Sequence, residues 1–419
     1  MVVYAQATKT VIALLTLPLL SSAHLSKCHI SDSNTCDINS LSPSTDGSVF
    51  IYPGGTTRCA FDDYTDTVSS FQSNSTYFFQ VFPAVNQSKN KLLLFFQGGG
   101  ACVGKYTCDF TLQCQLGDDS LISTRATVTE KGIMNRHLGD NVFNDFNIVY
   151  LPYCTGDLFV GNKYLEPFEN MYSQGLENKQ CLGQNKGMHL NGYNNTMAVI
   201  KWALDNYPNP EQIVIGGYSA GSLGAQLWST FVAKAWNVET KATKFQVLAD
   251  SYVGVFPEFN RPASSLVNFY GGCRLLNFPD SIVSTCEAET ATAVDLVSSL
   301  MKETLSGQWL FINSIGDETQ RMFYELVLLG IAGFPFTQLR PVDEFYGNLT
   351  AMLNVYSSFM DVTRFDIDSE EHVWLTRDDY RSVKRLDGQL LGDVMSAWLS
   401  NNHISFSGVY QASPGFQTR

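Results

Sequence analysis

The sequence predicts an α/β fold: a mainly parallel sheet flanked by helices, with loops tied by disulfides. Three observations predict it. First, short and almost wholly apolar runs recur at 91–97 (KLLLFFQ), 147–153 (NIVYLPY), 212–215 (QIVI), 245–249 (FQVLA) and 309–315 (WLFINSI). Such runs suit strands buried on both faces, as in a parallel sheet. Second, amphipathic stretches lie between them, and strand–helix alternation is the signature of a sheet covered by helices. Third, the chain carries ten cysteines, an even number that suits a disulfide framework in an oxidising compartment.

The helical stretches are expected at 195–206, 222–236, 318–329 and 386–400. In the second of these, Leu223, Leu227, Phe231 and Ala235 recur at four-residue steps. Residues 24–47 are polar and rich in Ser, Asp and Asn, so an irregular N-terminal segment is expected, pinned by Cys28–Cys36. Residues 48–419 read as one domain, with no internal repeat and no low-complexity linker.

The N-terminus reads as a signal peptide over 1–23. Lys9 supplies positive charge, 11–20 is apolar, and Ser21, Ser22 and Ala23 offer small residues for cleavage. The competing reading is a membrane anchor, but the run is short for a bilayer span. Secretion without stable membrane insertion follows, and a monomer is expected. A net charge of −13 with no offsetting Lys/Arg run sets nucleic-acid binding aside.

No close CxxC pair with nearby histidines is present, so zinc is not the expected use of the cysteines. Proximity in sequence suggests Cys273–Cys286, and Cys114 is a candidate partner for Cys181. Sequons at Asn74, Asn86, Asn194 and Asn348 are candidate glycosylation sites.

The chemistry centres on Gly217-Tyr218-Ser219-Ala220-Gly221, a G-x-S-x-G motif. The motif follows the strand candidate QIVIGG and precedes an amphipathic helix. That is the setting of a nucleophile elbow, and it makes the fold α/β-hydrolase-like. The bland alternative is an ordinary βα turn. A serine hydroxyl needs a base, and in this fold the order along the chain is Ser, acid, His. Only His372 and His403 follow Ser219. His372 lies where the acidic loop DSEE meets an apolar segment, and it is the expected base. Asp317 and Asp250 both sit just past strand candidates, on the edge where such sheets bind ligands. Order and strand position favour Asp317 over Asp250, and Asp368 is too local to His372. Gly98-Gly99-Gly100 follows the strand 91–97, where this fold places half of an oxyanion hole, and the N–H of Ala220 would supply the other half. No Gly-Lys-Ser/Thr follows, so the glycine run is not a P-loop.

The segments FFQGGGAC, LPYCTGD, GGYSAGS and GDETQ, in this order, resemble the pectin acetylesterase and Notum family of α/β-hydrolases. The resemblance runs from about Cys59 to Trp398. It implies Ser219 as nucleophile, Asp317 as acid, His372 as base, and Gly99, Gly100 and Ala220 as oxyanion donors. It also implies disulfides Cys59–Cys154 and Cys102–Cys108. Three positions depart from the family pattern. Its glutamate before the glycines is Gln97 here, its bulky tryptophan is absent, and its cysteine before the nucleophile is Tyr218. The first two alter the wall beside the oxyanion hole and bear on substrate specificity more than on the reaction.

The expected activity is hydrolysis of O-acyl esters on an acylated glycan, an acetylated extracellular polysaccharide above all, with neither metal nor organic cofactor. A second reading is removal of a longer acyl chain from a lipid or lipidated protein, and a deep apolar pocket would favour it. A third is an inactive hydrolase fold serving as a binding module, which would show by loss of a triad member.

Overall fold

The computed structural model describes residues 26–44, 47–65, 72–104, 107–108, 131–167, 187–330 and 336–401. The signal segment, His403, Cys114 and Cys181 lie outside the described residues.

A nine-stranded sheet runs through the molecule in the order β1-β2-β5-β7-β6-β10-β11-β12-β13. Its strands are β1 (Lys27–His29), β2 (Val49–Tyr52), β5 (Phe79–Phe82), β6 (Lys91–Phe96), β7 (Asn147–Leu151), β10 (Gln212–Tyr218), β11 (Lys244–Asp250), β12 (Gln308–Ser314) and β13 (Asp361–Ile367). Two small antiparallel pairs complete the strands: β3 (Tyr64–Thr65) with β4 (Gln72–Ser73), and β8 (Lys163–Leu165) with β9 (Met188–Leu190). From β7 through β13 every pairing in the large sheet is parallel. Only β5, between β2 and β7, runs antiparallel to its neighbours.

The apolar strand runs are explained by burial on both faces. Leu92, Leu94, Phe96, Ile213, Ile215, Val247, Ala249, Trp309 and Phe311 point into the larger core. Their sequence neighbours Leu93, Phe95, Val214, Leu248, Leu310 and Ile312 point into a smaller one. The larger core is closed by α1 (Gly192–Asn206), α2 (Ala220–Ala235), α4 (Ala263–Phe269), α5 (Asp280–Glu287), α6 (Ala293–Lys302) and α8 (Val342–Ser357). α3 (Val238–Lys241) is a single turn behind α2, and α7 (Glu318–Leu329) follows β12. The smaller core is closed by α9 (Leu391–Ser400), with Ile133, Met134 and Tyr380 from 3-10 turns and Trp374 from a loop.

All five strand expectations and all four helices appear, the helix at Glu318–Leu329 with the expected ends and the others with shifted ones. The last helix starts at Leu391 rather than 386, because Asp387-Gly388 makes a turn there. Gly388 has φ 87°, and its N–H donates to Arg385 O. The N-terminal segment is not wholly irregular. It contributes β1 to the sheet edge and a 3-10 turn at Ile38–Ser40. Cys28–Cys36, Cys59–Cys154, Cys102–Cys108 and Cys273–Cys286 are all bonded, as expected. Among the described residues, no helix is long and apolar enough to cross a membrane.

Two carboxylates, Asp157 buried and Glu258 half-buried, hold loops in place. Asp157 accepts from the Thr155 hydroxyl and from the N–H groups of Phe159 and Gly192. Glu258 caps two helices at once, accepting from Ala263 N–H at 3.0 Å and Ala293 N–H at 2.8 Å. Burial outweighs these donors and pushes Asp157 up to about 6 and Glu258 up to about 7. Both groups therefore bind protons more tightly when folded than when unfolded. Their contribution to stability is full below the usual carboxylate range and is lost as pH rises through 6 to 7. The expected result is a higher Tm at pH 5 than at pH 7.5. Glu258→Gln should flatten that difference, as a pH series of thermal melts would show.

Candidate active site

Parallel strands place their carboxyl ends on one edge, and the segments with candidate chemistry follow those ends. Gln97 follows β6, Ser219 follows β10, Ser251 follows β11, and Asp317 and His372 come shortly after β12 and β13. Open α/β sheets bind ligands along that edge.

The turn from β10 into α2 is tight. Ser219 has φ 53° and ψ −124°, a conformation that costs a non-glycine residue ~1–3 kcal/mol. It is held there by its N–H, which donates to Asp250 O at 2.8 Å, and by its carbonyl, which accepts from Ser222 N–H at 2.9 Å. The glycines of the motif are needed for close approach. A Cβ on Gly217 would overlap the Gly221 carbonyl, and one on Gly221 would overlap the Phe96 carbonyl. A Cβ on Gly98 would lie 2.7 Å from Tyr218 O and 2.8 Å from Ser219 Cβ. The glycine segment after β6 therefore packs directly on the serine.

That segment is fixed at both ends. Gln97 N–H donates to Leu151 O, and Cys102 N–H donates to Gly156 O at 2.8 Å. The Tyr270 hydroxyl and Arg261 donate to the carbonyls of Cys102 and Val103. Between these anchors Gly99 and Gly100 take positive φ, 152° and 71°. Among the described residues their N–H groups have no hydrogen-bond acceptor. Ala220, first residue of α2, likewise has a free N–H, as first-turn residues do. The helix dipole adds favourable potential for negative charge there.

Asp317 is fully buried and N-caps α7. It accepts from Gln320 N–H at 2.9 Å, and its other oxygen takes both the Gln320 side-chain amide at 2.9 Å and His372 Nδ1 at 2.8 Å. The imidazole is 15% exposed. With Nδ1–H given to the carboxylate, Nε2 carries the lone pair. Nε2 is buried and has no hydrogen-bond partner, so no Ser219–His372 hydrogen bond is formed. Such bonds often tighten only around substrate.

Asp250 has a different surrounding. Its carboxylate is fully buried and accepts from the N–H groups of Trp374 at 2.9 Å and Leu375 at 2.8 Å, and from the Ser251 hydroxyl. Ser251 in turn accepts from Val373 N–H at 3.0 Å. Asp250 thus grips the backbone just after His372, where Val373 takes φ 69°, and no imidazole bond reaches it. The sequence reading missed Gln320, Ser251 and this grip. Gln320 could have been found, since an acidic N-cap with Gln three residues on has capping-box spacing.

A family model described as Pectinacetylesterase matches residues 72–323, more than half of the chain. The chain belongs to the pectinacetylesterase family. The matched span contains the glycine segment, Ser219 and Asp317, and it ends before His372. A curated relative, palmitoleoyl-protein carboxylesterase NOTUM of Schmidtea mediterranea, is 33% identical over 98 residues, 22% of this chain and 18% of that protein. The match thus spans less than a fifth of that relative's length. This chain is thus a member of a family described as esterases. Its disulfides among the described residues fit an oxidising compartment.

The candidate sequons differ in setting. Asn86 and Asn348 are exposed and Asn74 is half-buried. The Asn194 amide is engaged with Asn162 and Asn191 in the first turn of α1.

Two substitutions separate the acids. Asp317→Asn should unfold normally yet lose kcat by about 10⁴-fold, because the amide favours the wrong tautomer. Asp250→Ala should lower Tm by several degrees along with activity, because three buried donors lose their acceptor. Kinetics paired with melting curves check both.

Proposed function

We propose that the protein is a secreted serine esterase that removes O-acetyl groups from extracellular polysaccharide. The observation that carries this reading is the buried Asp317–His372 pair, which leaves imidazole Nε2 free on the edge that also bears the strained Ser219.

In this mechanism the Ser219 hydroxyl attacks the acyl carbon while His372 Nε2 takes its proton. Asp317 stays ionised, holds the ring and stabilises the imidazolium. The tetrahedral oxyanion is received by the N–H groups of Gly99, Gly100 and Ala220, and losing one such donor typically costs about 3 kcal/mol in the transition state. The imidazolium then gives its proton to the departing sugar oxygen. A water molecule, deprotonated by the same histidine, releases acetate and regenerates the serine.

The net charge of −13 works against a polyanionic pectin at low salt, which favours neutral acetylated glycans or a screened polyanion. Secretion through the 1–23 segment and glycosylation at Asn86 belong to the same reading. The name of the curated relative supports a second reading, removal of a longer acyl chain from protein.

Acetate release from an aryl acetate and from acetylated xylan and pectin tests the proposal. Ser219→Ala should abolish release while the melting curve is unchanged, and undiminished turnover in that variant would refute it. Across aryl esters from acetyl to decanoyl, kcat/KM should fall with chain length. A rise would select the long-chain reading instead.

A further inference from the structure

The glycine turn has two ends, and the trailing one is held by the insert between β11 and β12. At the leading end, Gln97 N–H donates to Leu151 O at 3.0 Å and Gly98 packs on Ser219. Beyond Gly99 and Gly100 the chain passes through Ala101 and Cys102, both fully buried. Glycine has more backbone freedom than any other residue, so the aim of the two free N–H groups has to be fixed from outside the turn.

Three hydrogen bonds close a ring around Cys102. Its N–H donates to Gly156 O at 2.8 Å. Its carbonyl accepts from the Tyr270 hydroxyl at 2.6 Å, and a carbonyl has no proton to give, so the phenol is the donor. The Tyr270 carbonyl in turn accepts from Asn162 N–H at 3.1 Å, on the same loop as Gly156. That loop is stiff. The Asp157 carboxylate holds Thr155, Phe159 and Gly192, and the Asp157 carbonyl accepts from Val160 N–H at 3.0 Å. The turn after Tyr270 closes on it at backbone contact: Gly271 takes φ 77°, and a Cβ on Gly272 would lie 2.9 Å from Val160 O.

Tyr270 is fully buried, so its hydroxyl is not shared with solvent. Among the described residues no second donor reaches the Cys102 carbonyl. Arg261, from the same insert, donates to the neighbouring Val103 carbonyl and, at 3.3 Å, to Val327 O on α7. One guanidinium thus ties the chain just past the turn to the helix that Asp317 caps.

We propose that Tyr270 is a positioning residue for the oxyanion hole, its hydroxyl holding the trailing end of the turn so that the Gly99 and Gly100 N–H groups keep their aim, with Arg261 bracing the next peptide. This rests on the serine-esterase reading above. Both residues act through backbone carbonyls rather than on the substrate. A merely structural Tyr270 would act by filling space, and loss of its hydroxyl would lower Tm alone.

Tyr270→Phe keeps the ring and removes the hydroxyl. With an aryl acetate, well below both melting midpoints, kcat should fall about tenfold while KM stays within about threefold, the pattern of a lost transition-state interaction. Affinity for a boronic acid, which forms a tetrahedral adduct, should fall in parallel. Arg261→Met should also lose kcat with KM held. Wild-type kcat and boronic-acid affinity in Tyr270→Phe, whatever its Tm, would overturn the proposal, and so would a loss carried by KM alone. Should Tyr270→Phe fail to fold, the same two measurements on Arg261→Met decide, wild-type values in both overturning it. Ser219→Ala separates the two layers: activity in that variant defeats the serine reading, whereas an inactive Ser219→Ala beside a fully active Tyr270→Phe defeats only the positioning role.

Discussion

The backbone and side chain of Asp250 tie the serine-bearing strand to the histidine-bearing loop. Its carbonyl accepts the Ser219 N–H, and its carboxylate accepts the N–H groups of Trp374 and Leu375. The two ends of the site come from chain segments more than a hundred residues apart, and one buried residue spans them. A buried carboxylate is costly unless its lone pairs are filled, and here backbone N–H groups and Ser251 fill them. The cost and its remedy explain why positive-φ residues, Ser219, Ser251 and Val373, cluster around this point. Strained backbone persists only where the surroundings over-determine it.

On the other flank the governing constraint is steric. Gly98, Gly217 and Gly221 let the glycine segment, the end of β10 and the start of α2 approach to backbone contact. That approach sets the free N–H groups of Gly99 and Gly100 beside the head of a 16-residue helix. Preorganised donors matter because they need not reorient when charge develops. The acid side is equally fixed, with the Gln320 N–H on the Asp317 oxygen that His372 leaves free and the Gln320 side-chain amide sharing the other with the imidazole. Rigid scaffold on both sides leaves the substrate to bring serine and imidazole together.

Much of this was legible in the sequence, for physical reasons. Strands buried on both faces are continuous apolar runs, so β6, β7, β10, β11 and β12 stood out. β13 did not, because DVTRFDI is exposed or half-buried over its first four residues and carries charges there. β2 and β5 are short and lie on the antiparallel flank. The G-x-S-x-G motif was readable because a tight strand-to-helix turn restricts residue choice. Order and strand position favoured Asp317 over Asp250, but both follow strands on the same edge and position does not say what each carboxylate holds. The choice turns on which carboxylate meets imidazole nitrogen and which meets backbone N–H, a tertiary fact.

The central claim, that Ser219 is the nucleophile activated by His372, is tested most directly by covalent trapping. An aryl fluorophosphonate should add once per molecule of active enzyme, and peptide mass mapping should place the adduct on Ser219. The rate of labelling should collapse in His372→Ala. An adduct on another residue, or full acetate release by enzyme that takes up no label, would contradict the account.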